Sequence, residues 1–265
     1  MTDASARLSS RMKSILPTVG LSIGVLILWE AVIRLFHVPT FVLPAPTAII
    51  ESLLANSGAL AVAARATALE VVFGFAFSAL VGVLVALTVV RFERLGGALY
   101  PLIVLFQNVP KVALAPIFIL WFGYGLAPKI LLIVVIAFFP VAIDMQAGLQ
   151  SVDPAFIALM RSVGASKGKI LLRVRIPHSL PHLMAGLKVA ITFSVIGAIV
   201  GEFAGANQGL GYVIQFASTQ LDTPLIFAAL VVVSVLGLAF YYVIELSERW
   251  LVPWAPKFDP IHSAG

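Results

Sequence analysis

The pentapeptide Gln107-Asn108-Val109-Pro110-Lys111 sets two amides and an ammonium inside an apolar run that continues to Phe122. Such groups are costly in hydrocarbon unless they face protein or a wet cavity. Pro110 and Pro116 each remove a backbone donor, so a helix here must kink or break and release carbonyl oxygens. The chemistry on offer is hydrogen bonding and one fixed positive charge, which suits holding and passing a solute. Two readings fit Gln107, Asn108 and Lys111: polar groups that satisfy one another in a kinked helix, or a break that lines a solute path. Glu202 follows Gly201 and precedes the polar run Gly205-Ala206-Asn207-Gln208-Gly209-Leu210-Gly211-Tyr212; it is predicted to face the same path or its gate. Among the other ionisable residues in apolar surroundings, Glu30 and Arg34 stand at i, i+4 spacing and should pair. Asp144 and Lys188 lie at comparable depth and could pair, and Glu70 could be interfacial.

Other chemistries find no residue set. The glycines of the 205–212 run lack the G-x-x-x-x-G-K-[ST] spacing of a phosphate loop. His178 and His182 stand at i, i+4 without a third ligand, so no metal site is assigned. No nucleophile elbow or deep aspartate pair marks a hydrolase, and no catalytic residue is assigned. The chain has no cysteine, which excludes disulfides and thiol chemistry.

A second stretch is built to bind something. From Ser151 to Pro177 the chain is polar and carries Arg161, Lys167, Lys169, Arg173 and Arg175 against a single carboxylate, Asp153. Asp153 reads as an N-cap, Pro154 as the first helical residue and Gly164 as the C-terminal stop. Phe156, Ile157, Met160 and Val163 are predicted to share one face of the short helix between them. An amphipathic helix of this kind needs a partner, either elsewhere in the protein or in another protein.

The elements that must hold these residues are set by composition. Of 265 residues 61% are hydrophobic and 11% charged, and the mean hydropathy is +1.07. A soluble domain carries about 25% charged residues, so the class is an all-α, multi-span membrane protein. The isoelectric point near 9.7 reflects cations scattered over short loops, which argues for a lipid bilayer and against nucleic acid as partner. Six spans are predicted, at about 15–36, 66–90, 98–122, 128–149, 183–203 and 224–246. Each exceeds the roughly 20 helical residues that cross a bilayer. Placing both ends inside collects Arg7, Arg11, Lys13, Arg91, Arg94, Arg249, Lys257 and the five loop cations on the cytoplasmic side. The chain then divides into a cytoplasmic tail (1–14), a six-span domain (15–250) with a cytoplasmic loop at 150–182, and a second tail (251–265). The apolar segment that follows residues 1–14 is too long for a signal-peptide core and lacks a small-x-small cleavage site, so it is read as an uncleaved first span. A short interfacial helix should follow Pro44-Ala45-Pro46. Gly74, Ser78, Gly82 and Ala86 form a small-residue stripe, as do Gly186, Ala190, Ser194 and Ala198, and Gly197, Gly201 and Gly205. Such stripes mark close helix packing in lipid, inside one subunit or between two.

Gly164, nine residues, then Val174-Arg175-Ile176-Pro177 resembles the second half of the EAA loop of ABC-importer permeases, whose pattern is E-A-A, three residues, Gly, nine residues, I-x-L-P. Ala158, Leu159 and Met160 stand where the pattern has Glu-Ala-Ala. Gly164-Ala165-Ser166, Pro177 with Pro181, Ala185-Gly186-Leu187-Lys188, Val109-Pro110-Lys111-Val112-Ala113 and Gly209-Leu210-Gly211-Tyr212 resemble the sulfonate/nitrate/taurine class of these permeases. The resemblance runs from about Pro44 to Trp254. It implies the type I ABC importer fold in the cytoplasmic (inner) membrane of a bacterium, with the Pro154–Val163 helix as a coupling helix between spans four and five. It further implies a homodimer, two cytosolic ABC ATPase subunits docked on Asp153, Pro154, Phe156, Ile157, Met160, Arg161, Val163 and Gly164, and an extracytoplasmic substrate-binding protein. ATP and Mg would then sit on the ATPase, with no cofactor on this chain and no enzyme activity of its own. The implied substrates are small anions such as sulfonates, taurine or nitrate, with a heterocyclic vitamin precursor as the alternative. A stand-alone channel or carrier is the reading from another class.

Overall fold

A computed structural model describes residues 2–92 and 105–254. The start of the predicted third span, Arg94, Lys257 and most of the second tail lie outside the described residues, as do the side chains of Arg7, Arg11 and Lys13. The described residues are helical, without strands: α1 (Thr2–Leu35), α2 (Pro46–Ala55), α3 (Ser57–Arg91), a 3₁₀ turn (Lys111–Leu114), α4 (Ala115–Phe122), α5 (Leu126–Gln150), α6 (Pro154–Ser162), α7 (Lys167–Ile170), a π-helical stretch (Leu171–Arg175), α8 (Ile176–Gly205), α9 (Leu210–Thr219) and α10 (Thr223–Leu251). Among the described residues, four helices are long and apolar enough to cross a membrane: α3, α5, α10 and the continuous rod Lys167–Gly205.

The rod begins within the stretch predicted as the 150–182 loop. Residues 167–182 are helical, because Ser166 caps the Lys169 N–H and the π turn delivers the chain to Pro177. Pro177 sits in the first turn of α8, where its missing donor costs nothing. Helix α3 likewise begins nine residues before the predicted second span. Helix α9, which was not predicted, follows Gly209 directly.

Two compact units form. The first comprises residues 1–61 and 213–231. Its α1 presents Leu21, Val25, Ile27 and Leu28 at its surface, the composition of a helix solvated by lipid. The expected pair is present, with Arg34 Nε 2.6 Å from Glu30 Oε1. Glu30 does more than pair: its Oε2 accepts from the Thr47 N–H at 3.1 Å and its Oε1 from the Thr47 hydroxyl at 2.9 Å. Thr47 lies in the first turn of α2, whose own N-cap, Ala45, offers no side-chain oxygen. The carboxylate therefore caps α2 from another helix, with the sign the helix dipole favours.

The second unit comprises residues 62–212 and 232–265. Its core joins α3, α5 and α8 through Val71, Ile133, Ala137, Val141, Ala190, Ile191, Val195 and Ala198. The small-residue stripes let these backbones approach. A Cβ on Gly74 would lie 2.6 Å from Ile133 Cβ, and one on Gly82 would lie 2.6 Å from Val141 Cβ and 2.7 Å from the Phe138 carbonyl oxygen. Ser78, between them, donates to the Gly74 carbonyl at 2.7 Å. Ala190, Ser194 and Ala198 are fully enclosed, and Gly197 and Gly201 face Ile133 and Lys129 of α5. All three stripes thus pack within the chain. Gly82→Ala is expected to destabilise the protein by about 1–3 kcal/mol through overpacking, measured as a lower unfolding temperature in detergent. Gly20→Ala, with nothing within 4 Å, should leave that temperature unchanged.

Candidate functional site

The predicted break is present. The helical turn ending at Gln107 stops, Asn108 to Pro110 are not helical, and the chain resumes as the Lys111–Leu114 turn before α4. Pro110 cannot donate, and its ψ of 86° turns the chain away from a helical path. Beside the break lies a cavity of about 480 Å³ lined by Gln107, Lys111, Phe139, Pro140, Asp144 and Phe193, with Ile136, Ile143 and Val189. The Lys111 ammonium stands 5.4 Å from the centre of the Phe139 ring, a cation–π arrangement. Asn108 is exposed on the break and does not line the cavity. Asp144 does line it. The predicted Asp144–Lys188 pair is absent, and Lys188 instead binds Glu248 of α10 at 2.6 Å, with Tyr241 beneath its ammonium. The cavity lining therefore includes an amide, a cation, a carboxylate and two aromatic rings. It can grip a small solute that carries both a flat apolar surface and polar edges.

Glu202 does not line this cavity. It is fully buried. Its Oε1 accepts from the Thr67 hydroxyl at 2.7 Å and its Oε2 from the Gly211 N–H at 2.5 Å, while Thr67 Oγ1 accepts from the Leu210 N–H at 2.9 Å. Gly209 has φ +109° and, like Gly211, no room for a Cβ because the carboxylate occupies that space. The glycines of this run cradle an internal carboxylate, and Glu202 fixes the start of α9 against α3 and α8. Glu70 is buried, not interfacial: its Oε1 lies 2.5 Å from Lys129 Nζ, and both residues are at most 6% exposed. Together they border a second cavity, of about 380 Å³, with Tyr124, Asn207 and Gln208. Nothing local could have pointed to this pair, because its members stand 59 residues apart.

Helix α6 forms as its ends dictate. Asp153 Oδ1 accepts from the Ala155 N–H at 2.8 Å, and Pro154 opens the first turn. At the other end Gly164, at φ +78°, lets its own N–H reach the Arg161 carbonyl and the Ala165 N–H reach the Met160 carbonyl, both at 3.0 Å. The four apolar residues do not share one face. Ile157 is buried against Val152 and Ile170, with Met160, Ala165 and Val174 alongside. Phe156 and Val163 are exposed, joined by Leu159, which the sequence reading did not single out. The helix thus spends one apolar edge on its own loop and displays another, with Arg161 exposed nearby. At 100° per residue, positions 156, 159 and 163 fall within one narrow arc and 157 lies outside it.

Among the described residues, no group of three or more His, Asp or Glu side chains gathers that could hold a metal. His178 instead lies 3.1 Å from the Ser151 hydroxyl.

A bundle of apolar helices with a broken helix beside a polar cavity and a capped helix outside the spans defines a multi-pass membrane transport protein. Residues 74–255 match the family of binding-protein-dependent transport system inner membrane components, and the chain belongs to that family of ABC-importer permeases. It is 36% identical to the formylaminopyrimidine transport permease of Halalkalibacterium halodurans, over 88% of this chain and 93% of that protein. It is 30% identical to the taurine transport system permease of Escherichia coli, over 89% and 90% of the two. Its fold matches a chain of the inward-facing MetNI methionine ABC transporter with a TM-score of 0.60 at 20% identity, over 74% of this chain and 95% of the other.

Proposed function

We propose that this chain forms the translocation pathway of an ATP-driven importer as a homodimer with six spans per copy and both ends in the cytoplasm. Two cytosolic ATPases dock on α6, and an extracytoplasmic binding protein delivers the solute. ATP-driven closure brings the two α6 helices together and rocks the later spans from inward- to outward-facing. The observation that carries the reading is the exposed Phe156, Leu159 and Val163 edge on a helix capped at both ends and anchored through Ile157. A self-contained channel leaves that edge without a use.

For the solute, the cavity beside the break favours a small planar heterocycle with amino or hydroxyl edges. Phe139 and Phe193 supply apolar walls, Asp144 an acceptor and Gln107 both a donor and an acceptor. The likeness to a formylaminopyrimidine permease supports this reading. Lys111 in the same cavity favours a small anion instead, a second reading supported by the likeness to a taurine permease. The two separate by mutation in reconstituted uptake assays. A hydrogen bond to a charged group is worth about 1.5–3 kcal/mol, so Asp144→Asn should lower heterocycle uptake about tenfold or more while Lys111→Gln has the smaller effect. The reverse order would assign the pathway to an anion.

A further inference from the structure

We infer that the cavity bordered by the Lys129–Glu70 pair is a second solute site, built for a neutral planar molecule with an amino edge. Its whole lining belongs to the second compact unit. Glu70 carries the argument. It is 1% exposed and lines the cavity, and its Oε2 is buried with no hydrogen-bond partner among the described residues. The end of α3 at Arg91, close to where the chain leaves the described residues, lies about 31 Å of helix from Glu70. A buried acceptor left unmade is costly, so a ligand that brings a donor to it is favoured.

The rest of the lining sets the other edges of the ligand. Lys129 is already matched by Glu70, so the lining keeps no spare cation for an anionic solute. Gly125 and Leu126 line the cavity at the start of α5, a helix that no side chain caps, so its first N–H groups are open to an acceptor. Tyr124 supplies a flat wall. It stands between Gly123 at φ +74° and Gly125 at φ +143°, and a Cβ on Gly205 would lie 2.8 Å from its Cε1, so the ring rests on bare α8 backbone. Asn207 and Gln208, both exposed, add amides that donate and accept. A molecule that meets these surfaces carries a donor and an acceptor side by side on a flat ring, as an amino-substituted heterocycle does. A sulfonate has acceptors alone and leaves Oε2 unmet. The cavity beside the break is lined from the same helix, about 15 Å or more further along, at Phe139 to Asp144. The two cavities are then successive stations for one solute. The inference rests on the reading of the chain as the permease of a heterocycle importer.

The chain has no cysteine, so one introduced at the rim reports occupancy. The test is the rate at which a maleimide labels Asn207→Cys in the detergent-solubilised full chain, with formylaminopyrimidine or ethanesulfonate as the probe. Labelling is expected to slow about tenfold at about 10 mM formylaminopyrimidine, which is ten times the dissociation constant of even a weak site, about 1 mM. Ethanesulfonate should not slow it. Gln220→Cys, exposed in the turn after α9 and outside the lining, should label at one rate throughout. Lys129→Met with Glu70→Met exchanges the buried pair for apolar groups and removes Oε2, so this double variant should abolish the protection; its unfolding temperature shows that it is folded. Asp144→Asn, at the other cavity, should leave the protection intact. No protection by formylaminopyrimidine, equal protection by ethanesulfonate, or protection that survives the double variant would each overturn the inference. Loss of protection in Asp144→Asn would assign the solute to the cavity beside the break and overturn it as well. A protein that takes up formylaminopyrimidine yet shows no protection fails this inference alone and leaves the importer reading standing.

Discussion

Lys129→Met is expected to lower the stability of the permease by about 3–5 kcal/mol, the cost of removing one partner from a buried ion pair. Lys129 is 6% exposed and Glu70 1%, and the ammonium donates to Glu70 Oε1, while Oε2 is buried with no hydrogen-bond partner among the described residues. The methionine keeps most of the volume and the apolar stem, which Gly201 of α8 allows to pack closely, its missing Cβ lying 3.3 Å from Lys129 Cγ. The loss is therefore electrostatic and not a cavity effect. It should appear as a large drop in unfolding temperature of the detergent-solubilised protein. Replacing both partners, as Lys129→Met with Glu70→Met, should recover most of it, because a buried pair exchanged for apolar groups is often neutral. A single variant as stable as wild type would mean that the pair does not hold α3 to α5.

The parts of this fold legible in the sequence are those that depend on one helix at a time. Length and hydropathy placed α3, α5, α8 and α10, and local capping chemistry at Asp153, Pro154 and Gly164 placed α6. The Gln107–Lys111 break was legible because proline and polar side chains have a fixed cost in an apolar helix. What depended on the rotation of one helix against another was not legible. Asp144 and Lys188 stand at similar depth, but depth gives no azimuth, and Lys188 turns to Glu248 while Asp144 turns to the cavity. In soluble helices the polar face reveals the azimuth; here every face is apolar, so no periodicity separated the cavity residues Phe139 and Phe193 from residues facing lipid. Glu202 was marked as unusual by its surroundings and by the glycine run that follows it; Gly211 belongs to that run, but Thr67 came from a segment that sequence distance could not connect. On α6 the same difficulty appeared at smaller scale, where Phe156 and Ile157 differ by one position and face opposite duties.

Those duties give the second large effect. Phe156→Asp and Leu159→Asp are each expected to uncouple the importer, leaving the permease folded in the membrane without transport. Burying such a side chain against a partner contributes about 1.5–3 kcal/mol, and a carboxylate in its place adds an unpaired charge to the interface. Binding of the ATPase should therefore weaken by a hundredfold or more, on the order of 3 kcal/mol. Ile157→Asp makes the contrast, because Ile157 packs against Val152 and Ile170 of the same chain. That variant should lose stability as well as transport. The two outcomes are read together, by co-purification with the ATPase and by unfolding temperature. In the proposed complex the apolar edge would carry the docking, because Ala158, exposed and uncharged, stands where the related loop pattern has a glutamate. No charge at that position can hold the ATPase in its place. If Phe156→Asp still co-purified with the ATPase and transported at the wild-type rate, α6 would not be the docking element.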